Sequence, residues 1–540
     1  MLLQRAVSPR KCSAIIAGMR VGDLIRQQLV RGRGNRGAMA LAIFIAALSV
    51  GIARFNAASP RAWSAGEVPV AFWAWRSRPP CQDDVERAIA QTGARTFFVR
   101  AGQIDVDDGH LRCVRATAGR FPAGVEAHLV YNATPTLLAA FEKIETAALA
   151  DQVAASYNDD ARRAAADAAQ VAGVQLDFDV PTRLLARYAT LLNLLHQRLP
   201  AGTRLSITGL PTWMSSADLC GVLATVDFWI PQLYGAQIPS HLDEMTAITS
   251  AQAVARDVRR AASFNRPFYA GLAAYGYAIH CASNGARLAV IGDLDPALIA
   301  ARRELQLIER RPFESSRRGE TPASQWRYVY RATEDTQIDH LPIRAGEWLM
   351  LDVPTAEALA TCARAVREQA GEHLLGVCVF RLPEQGDATA LSLAEIAGAL
   401  RDEKANHSFV VEATTQDVAG AQAITLSLTN DGATRARLGE GAASFEVRLP
   451  AGSMRQVSLR GFATASLLCD AGAGARNCSL RRANAVRLEL NSWSPGDRAG
   501  AVLALASLPS AIEVRCTISA DDGREISERR TIPIKRERTR

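Results

Sequence analysis

Gly173-Val174-Gln175-Leu176-Asp177-Phe178-Asp179 reads as a buried strand that ends in two carboxylates on one face. Side chains alternate along a strand, so Gln175, Asp177 and Asp179 point one way while Val174, Leu176 and Phe178 point the other. A helix is expected over Arg183 to Leu199, where Leu184, Leu185, Leu191, Leu192 and Leu195 form an apolar stripe against the strand's other face. Strand, acidic tip and crossover helix make one unit of a barrel whose polar set faces the axis.

Outward from this unit, short β-branched or aromatic runs alternate with helical patterns, the signature of a parallel sheet built from βα units. The expected strands are Val68 to Trp75, Arg95 to Arg100, Val125 to Asn132, Gly173 to Asp179, Arg204 to Thr208, Asp227 to Tyr234, Arg266 to Ala273 and Leu374 to Phe380. Such a set fits an α/β fold, a closed (β/α)8 TIM barrel with its active site at the carboxyl ends of the strands. The barrel domain is placed at 65–402, with a long insertion, a lid or small subdomain, at about 281–371 between the seventh and eighth strands. Within that insertion a charged helical segment is expected around Ala297 to Arg311, then a polar stretch at Arg310 to Ser324 and an aromatic run at Trp326 to Tyr330. Beyond Glu403 the helical patterns vanish. Alternating runs at Ile424 to Leu428, Phe445 to Leu449, Val457 to Leu459, Val486 to Leu490 and Ile512 to Ile518 point to a C-terminal β-sandwich over 403–540.

The chain has 540 residues, 48% of them hydrophobic and 22% charged, enough to bury more than one core. Its net charge of +7 is not a nucleic-acid signal. Arg5, Arg10, Lys11, Arg20, Arg26, Arg31, Arg33 and Arg36 stand against Asp23 alone in a basic leader at 1–37, and that excess accounts for the whole. The apolar run Ala38 to Ala53, bounded by Arg36 and Arg54, reads as a signal anchor or signal peptide at 38–54. A buried core helix is the other reading of that run. Basic residues stay on the cytoplasmic side, so the rest of the chain is expected in the cell envelope, facing the periplasm. It would be anchored to the cytoplasmic membrane or released by cleavage near Ala57, Ala58 and Ser59.

Nine of the ten cysteines lie beyond the apolar run, where an oxidising compartment permits disulfides. Cys469 and Cys478, flanking a Gly/Ala-rich loop between two strands, are the best candidate pair. The absence of any Cys-x-x-Cys or His-Glu-x-x-His spacing gives metal frameworks little support. Phosphate-loop, dinucleotide-fold and nucleophile-elbow motifs are likewise missing, so no cofactor is expected.

Strand tips of such a barrel converge on one mouth. The candidates there are Trp75, Arg100, Tyr131 with Asn132, Gln175, Asp177, Asp179, Trp213, Gln232, Tyr234, Tyr275 with Tyr277, and Arg381. Paired acids, aromatic plates and amide or hydroxyl donors are what a sugar site needs: carboxylates for proton transfer to a glycosidic oxygen, flat apolar faces for pyranose rings. Each has a plainer reading. The two acids could be solvated or capping groups at a strand end, and as an Asp-x-Asp pair they offer too few ligands for a divalent ion. The tryptophans and tyrosines could be core or rim packing, and Arg100 and Arg381 could pair with Asp177 or Asp179, with a substrate anion, or in structural salt bridges.

The 173–179 stretch resembles the strand-four signature of family-18 chitinases and their relatives, Asp-Gly-x-Asp-x-Asp-x-Glu, and Pro231-Gln-Leu-Tyr-Gly235 resembles their later Met-x-Tyr-Asp strand. From Val68 to about Arg401 the chain resembles an uncharacterised bacterial family, domain-of-unknown-function family 3142, with Ala71-Phe-Trp-Ala-Trp75 and Leu205-Ser-Ile-Thr-Gly-Leu-Pro-Thr-Trp213 among its marks. That resemblance implies a TIM barrel and brings no established activity. Carried across the chitinase motif, Asp179 stands where the catalytic Glu would be and Asp177 where the acid that orients the acetamido group would be. Gln175 replaces the inner Asp, Ala172 the outermost, and Gly235 the Asp after the matching Tyr234. Aspartate is one methylene shorter than glutamate, and a misplacement of that size costs about a hundredfold in rate unless the backbone compensates.

Three functions fit these residues. The first is a glycoside hydrolase-like envelope protein acting on a polysaccharide or oligosaccharide, with Asp179 as general acid and Asp177 as its partner. The second is a non-catalytic glycan-binding protein using the same cleft, and the third an envelope scaffold whose terminal sandwich docks a protein partner of unknown identity.

Overall fold

The computed structural model describes residues 63–535, except 117–118, 236, 313–324, 419–420 and 470–475. The basic leader and the apolar run Ala38 to Ala53 lie outside the described residues. Among the described residues no helix is long and apolar enough to cross a membrane.

The barrel forms from β1 (Val70–Ala74), β2 (Thr96–Asp107), its hairpin partner β3 (His110–Arg115), β4 (Glu126–Ala133), β5 (Gln170–Asp177), β6 (Arg204–Gly209), β7 (Phe228–Pro231) and β8 (Phe268–Ala273). An insertion follows, made of β9 (Tyr277–Cys281), β10 (Arg287–Ile291), β11 (Leu305–Pro312), β12 (Trp326–Ala332), β13 (Thr336–Ile338), β14 (Leu341–Ile343) and β15 (Trp348–Val353). β16 (Leu374–Phe380) then completes the barrel. Neighbours run β1-β16-β8-β7-β6-β5-β4-β2, and β1 pairs with β2 to close the ring. All pairings within this ring are parallel, as in Phe72↔Phe97 and Trp73↔Phe380. The eight strands are the eight expected from the sequence.

Strand alternation divides the barrel residues into two cores. Phe72, Phe97, Val99, Leu129, Val174, Leu176, Phe178, Leu205, Ile207 and Trp229 point outward into the layer shared with the helices. Ala71, Trp73, Phe98, Val130, Phe228, Ile230 and Cys378 fill the barrel interior. The helix Leu185–Arg198 buries Leu185, Tyr188, Leu191, Leu192 and Leu195, one stripe at helical spacing, and Leu184 is buried in the short 3-10 turn before it. Two crossover helices start on hydroxyl caps: Ser250 accepts from Ala253 N and Thr355 from Ala358 N. Gly173 is required by close approach, since a Cβ there would lie 2.3 Å from the Arg204 carbonyl oxygen and 2.7 Å from His128 Nδ1.

The insertion departs from the expected pattern. It forms an antiparallel sheet ordered β10-β9-β15-β12-β11 with a separate β13-β14 hairpin, and the helix Ala356–Gln369 after it belongs to the barrel wall. The expected charged helix shrinks to Pro296–Ala300, and Leu305–Pro312 is a strand. The reason is its neighbour: Leu305 to Pro312 pairs along the aromatic strand β12, and that non-local pairing outweighs local helix preference. Tyr277, Ile279, Cys281, Val329 and Met350 of the insertion pack into the core of the barrel interior, so the two cores are continuous.

Among the described residues the C-terminal domain holds ten strands. Met454–Arg460, Arg498–Leu505, Ala421–Thr429 and Val410–Val418 form one sheet. Ala511–Ser519, Ala443–Arg448, Ala485–Leu490, Thr464–Cys469 and Arg476–Asn477 form the other, and Glu525–Lys535 joins both. Inward residues of both, including Phe409, Leu426, Phe445, Leu488, Trp493 and Val514, make one core. Cys469 and Cys478 are bonded, with Cα atoms 5.9 Å apart. The domain is clamped to the barrel by Arg435, whose Nε and Nη2 donate to the Glu395 carboxylate at 3.0 and 3.1 Å, both side chains being buried. Glu395 is also the third residue of the helix Leu393–Leu400 and closes its capping box with Ser392.

Candidate functional site

Every strand of the barrel sends one inward residue to the carboxyl end. In ring order these are Trp75, Arg100, Asn132, Asp177, Thr208, Gln232, Tyr275 and Phe380. Beneath them lies a hydrogen-bonded floor: Trp73 Nε1 donates to Gln175 Oε1 at 2.7 Å, and Gln175 Nε2 donates to Ser206 Oγ at 3.4 Å. Gln175 is therefore wholly buried and supports the site from below.

Asp177 is half-buried and held on one oxygen. Thr208 Oγ1 donates to its Oδ1 at 2.6 Å, and Gln232 Nε2 approaches the same atom at 3.5 Å. Burial, then the charge of Asp179, pushes its carboxyl up to about 7, against the hydrogen bond from Thr208 and the charge of Arg100. Asp179 sits past the strand end, exposed at the rim, and desolvation raises its carboxyl as well. At about 7, the Asp177 carboxyl holds a proton near neutrality that an ordinary aspartate would have lost.

One wall of the mouth is aromatic. Tyr234 stacks on Phe380 with ring centroids 5.7 Å apart, and Tyr275 meets Phe380 edge-on at 5.0 Å. Trp75 lies 5.8 Å from the same ring, and the Arg100 guanidinium sits 5.0 Å over the Trp75 face. Arg100 Nε donates to Asn132 Oδ1 at 3.2 Å. Burial lowers its guanidinium from the ordinary value, and Asp177 opposes that. Burial also pushes the Tyr275 hydroxyl up to about 12 and that of Tyr234 well above its usual range, so both stay neutral hydrogen-bonding groups.

Asp177, Asp179, Trp75, Arg100, Gln232, Tyr234 and Tyr275 are thus brought to the mouth. Five expected members are not there as substrate groups: Gln175 lies in the buried floor, Tyr277 is packed into the interior core, and three others are placed elsewhere. Tyr131 has the opposite strand parity from Asn132: its ring lies in the outer layer and its hydroxyl donates to buried Asp160 at 2.8 Å. Trp213 is fully buried outside the barrel, its Nε1 donating to the Val180 carbonyl at 2.9 Å and its ring edge-on to Tyr188. Arg381 is consumed by Asp387, which it grips with Nε and Nη2 at 3.1 and 2.9 Å, and by Thr389 at 2.6 Å, so it pairs with neither mouth acid. Thr208 and Phe380 are mouth members absent from the sequence-based set. Strand parity marks both, since Thr208 is two residues past inward Ser206 and Phe380 two past inward Cys378. Among the described residues no three His, Cys, Asp or Glu side chains are grouped to hold a metal ion.

The fold and this mouth define a (β/α)8 barrel protein with a paired-aspartate, aromatic-walled site. Residues 139–310 match the family described as "Domain of unknown function (DUF3142)", the family that the sequence motifs resemble. No curated protein matches the chain. Among solved structures it is similar to a chitinase from Chromobacterium violaceum ATCC 12472, at 15% identity and a TM-score of 0.40, over 62% of this chain and 99% of that one. It is also similar to the spore cortex-lytic enzyme SleL of Bacillus cereus, at 16% identity and a TM-score of 0.40, over 62% of this chain and 74% of that one. The barrel assignment itself rests on the closed ring of strand pairings.

Proposed function

We propose that this barrel takes a polysaccharide or oligosaccharide across its mouth and cleaves a glycosidic bond with acid assistance. The observation that carries this reading is the pair Asp177 and Asp179 at one strand tip beside an aromatic wall, both carboxyls raised by burial and that of Asp177 to about 7. Asp179, the exposed member, gives its proton to the leaving glycosidic oxygen and becomes a carboxylate. Asp177, in the ionised form that its bonds from Thr208 and Gln232 favour, offsets the positive charge developing at the anomeric carbon as the glycosidic bond breaks. A water oxygen bonds to that carbon while its spare proton returns to the Asp179 carboxylate. The faces of Trp75 and Phe380 receive pyranose rings, and Tyr234 and Tyr275 remain neutral donors at neutral pH. We place the chain in the cell envelope, with the Ala38 to Ala53 run as its tether to the cytoplasmic membrane or as a cleaved signal.

A second reading, a glycan-binding protein without turnover, is favoured by one observation. No hydrogen bond among the described residues fixes Asp179, whereas the aromatic wall is complete. The full chain and its Asp179→Asn variant, each incubated with a panel of bacterial and plant polysaccharides, decide between the two. Reducing ends released by the native chain alone support the hydrolase, and equal binding without release supports the binding protein. A panel with neither signal sinks both and leaves the scaffold.

A further inference from the structure

Three arginines of the barrel and its insertion differ in what their nitrogens still have to give. Arg327 is spent on both oxygens of Asp352 and on the Glu244 carbonyl. Arg381 is spent on Asp387 and Thr389. Arg100 has only its Nε engaged, on Asn132, and no acid lies in ion-pair contact with it among the described residues. Its guanidinium plane is nonetheless fixed from two sides, by that bond and by the Trp75 ring 5.0 Å below. Among the described residues its two terminal nitrogens have no hydrogen-bond partner, at a half-buried place in the ring of strand tips.

We infer that Arg100 is the acceptor for a carboxylate carried by the sugar, so that the glycan taken by this mouth is an acidic one, built with uronic-acid or other carboxylated residues. A planar fork with two free amino groups receives a carboxylate through two parallel hydrogen bonds, and the Trp75 face beneath orders the fork in advance. Asn132 sits between Arg100 and Asp177 in the ring and holds the two apart: it is bonded to the first and cross-strand from the second. A carboxylate on Arg100 therefore occupies a place one strand removed from the paired acids. A neutral glycan would leave the terminal N–H groups of this half-buried guanidinium without an anionic hydrogen-bond acceptor, with the charge of Asp177 acting on it only at a distance, and that difference is the source of selectivity.

The inference rests on the glycan reading of the mouth, and its test separates the two. The full chain, native and as Arg100→Gln and Arg100→Lys, is titrated with tetragalacturonate, a hyaluronate hexasaccharide and an alginate tetramer, each beside its carboxyl-reduced counterpart of identical linkage. The native chain is expected to bind at least one acidic form about tenfold or more tighter than its reduced twin, a ratio set by one charged hydrogen-bonded pair. That ratio should fall to near one in Arg100→Gln and recover in part in Arg100→Lys, which keeps the charge without the fork. If the native chain binds the reduced forms as well as or better than the acidic ones, the inference is overturned and the glycan reading stands. If the ratio survives in Arg100→Gln, the selectivity belongs to another group and the assignment of Arg100 fails. Binding of no glycan in any form, acidic or neutral, overturns the inference together with the reading it rests on.

Discussion

The hydroxyl of Thr208 donates to Asp177 Oδ1 at 2.6 Å across the seam between the fourth and fifth barrel strands. That bond favours the ionised carboxylate, while burial and Asp179 favour the protonated one, and the second pair of effects prevails. Thr208→Val removes only the opposing influence. The carboxyl of Asp177 should then titrate higher by about one unit, as expected for the loss of one charge-assisted bond. Carbon-13 NMR titration of the aspartate carboxyls reads this directly, and an unmoved titration would refute the assignment.

Asp521 offers a pH test away from the mouth. Burial, then Glu395, pushes its carboxyl up to about 7, and its Oδ2 has no hydrogen-bond partner among the described residues. Its folded value lies above the ordinary aspartate range, so between about pH 4 and 7 the folded state holds a proton that the unfolded chain has released. This contribution to stability is full below about pH 4 and is lost as pH rises toward and through about 7. Asp521→Asn should therefore stabilise the protein at about pH 8 by about 1–3 kcal/mol and flatten its stability between about pH 4 and 7. Urea unfolding on the acid and alkaline sides of that window measures both, and a native chain more stable than the variant on the alkaline side would contradict this assignment.

Arg435 and Glu395 form a buried pair between the sandwich and the helix after β16. Arg435→Met leaves Glu395 buried and uncompensated, a loss of about 3–5 kcal/mol. Adding Glu395→Gln, which keeps a side chain able to cap the helix, should return much of that loss. Thermal unfolding of the single and double variants checks it, and simple additivity of the two changes would mean that the residues are not coupled.

Two tryptophans should fail in different ways. Trp213→Ala opens a hole in the outer core and orphans the Val180 carbonyl, at a cost of about 3–5 kcal/mol in stability. Trp75→Ala sits at the mouth and should lose glycan affinity with little change in the unfolding midpoint. Paired binding and denaturation curves separate the two effects, and the opposite pattern would make Trp75 the core residue and Trp213 the sugar platform.

The barrel is legible in the sequence because each strand carries its own alternation, and the closing pair β1 and β16 differs from the rest only in sequence distance. The paired acids are legible for the same reason. Residue type alone puts Tyr131 at the mouth, whereas strand parity excludes it, since Tyr131 and Asn132 cannot both face the axis. Trp213 and Arg381 lie beyond local reading: one is decided by a carbonyl 33 residues away, the other by Asp387 in a loop with no regular pattern. The insertion's β11 has a helical local pattern because its strand identity comes from the partner β12 rather than from its own charged residues.

β16 pairs with β1 on one side and β8 on the other, so the cylinder stays an open, two-edged sheet until residues 374–380 have been synthesised. A nascent chain carries β1 unpaired on that edge until β16 emerges. Phe380, on which Trp75, Tyr234 and Tyr275 all rest, arrives with this last strand. Any species halted before it keeps both acids and Trp75 but lacks the ring on which Tyr234 and Tyr275 pack, so the proposed site is incomplete in a truncated form lacking β16.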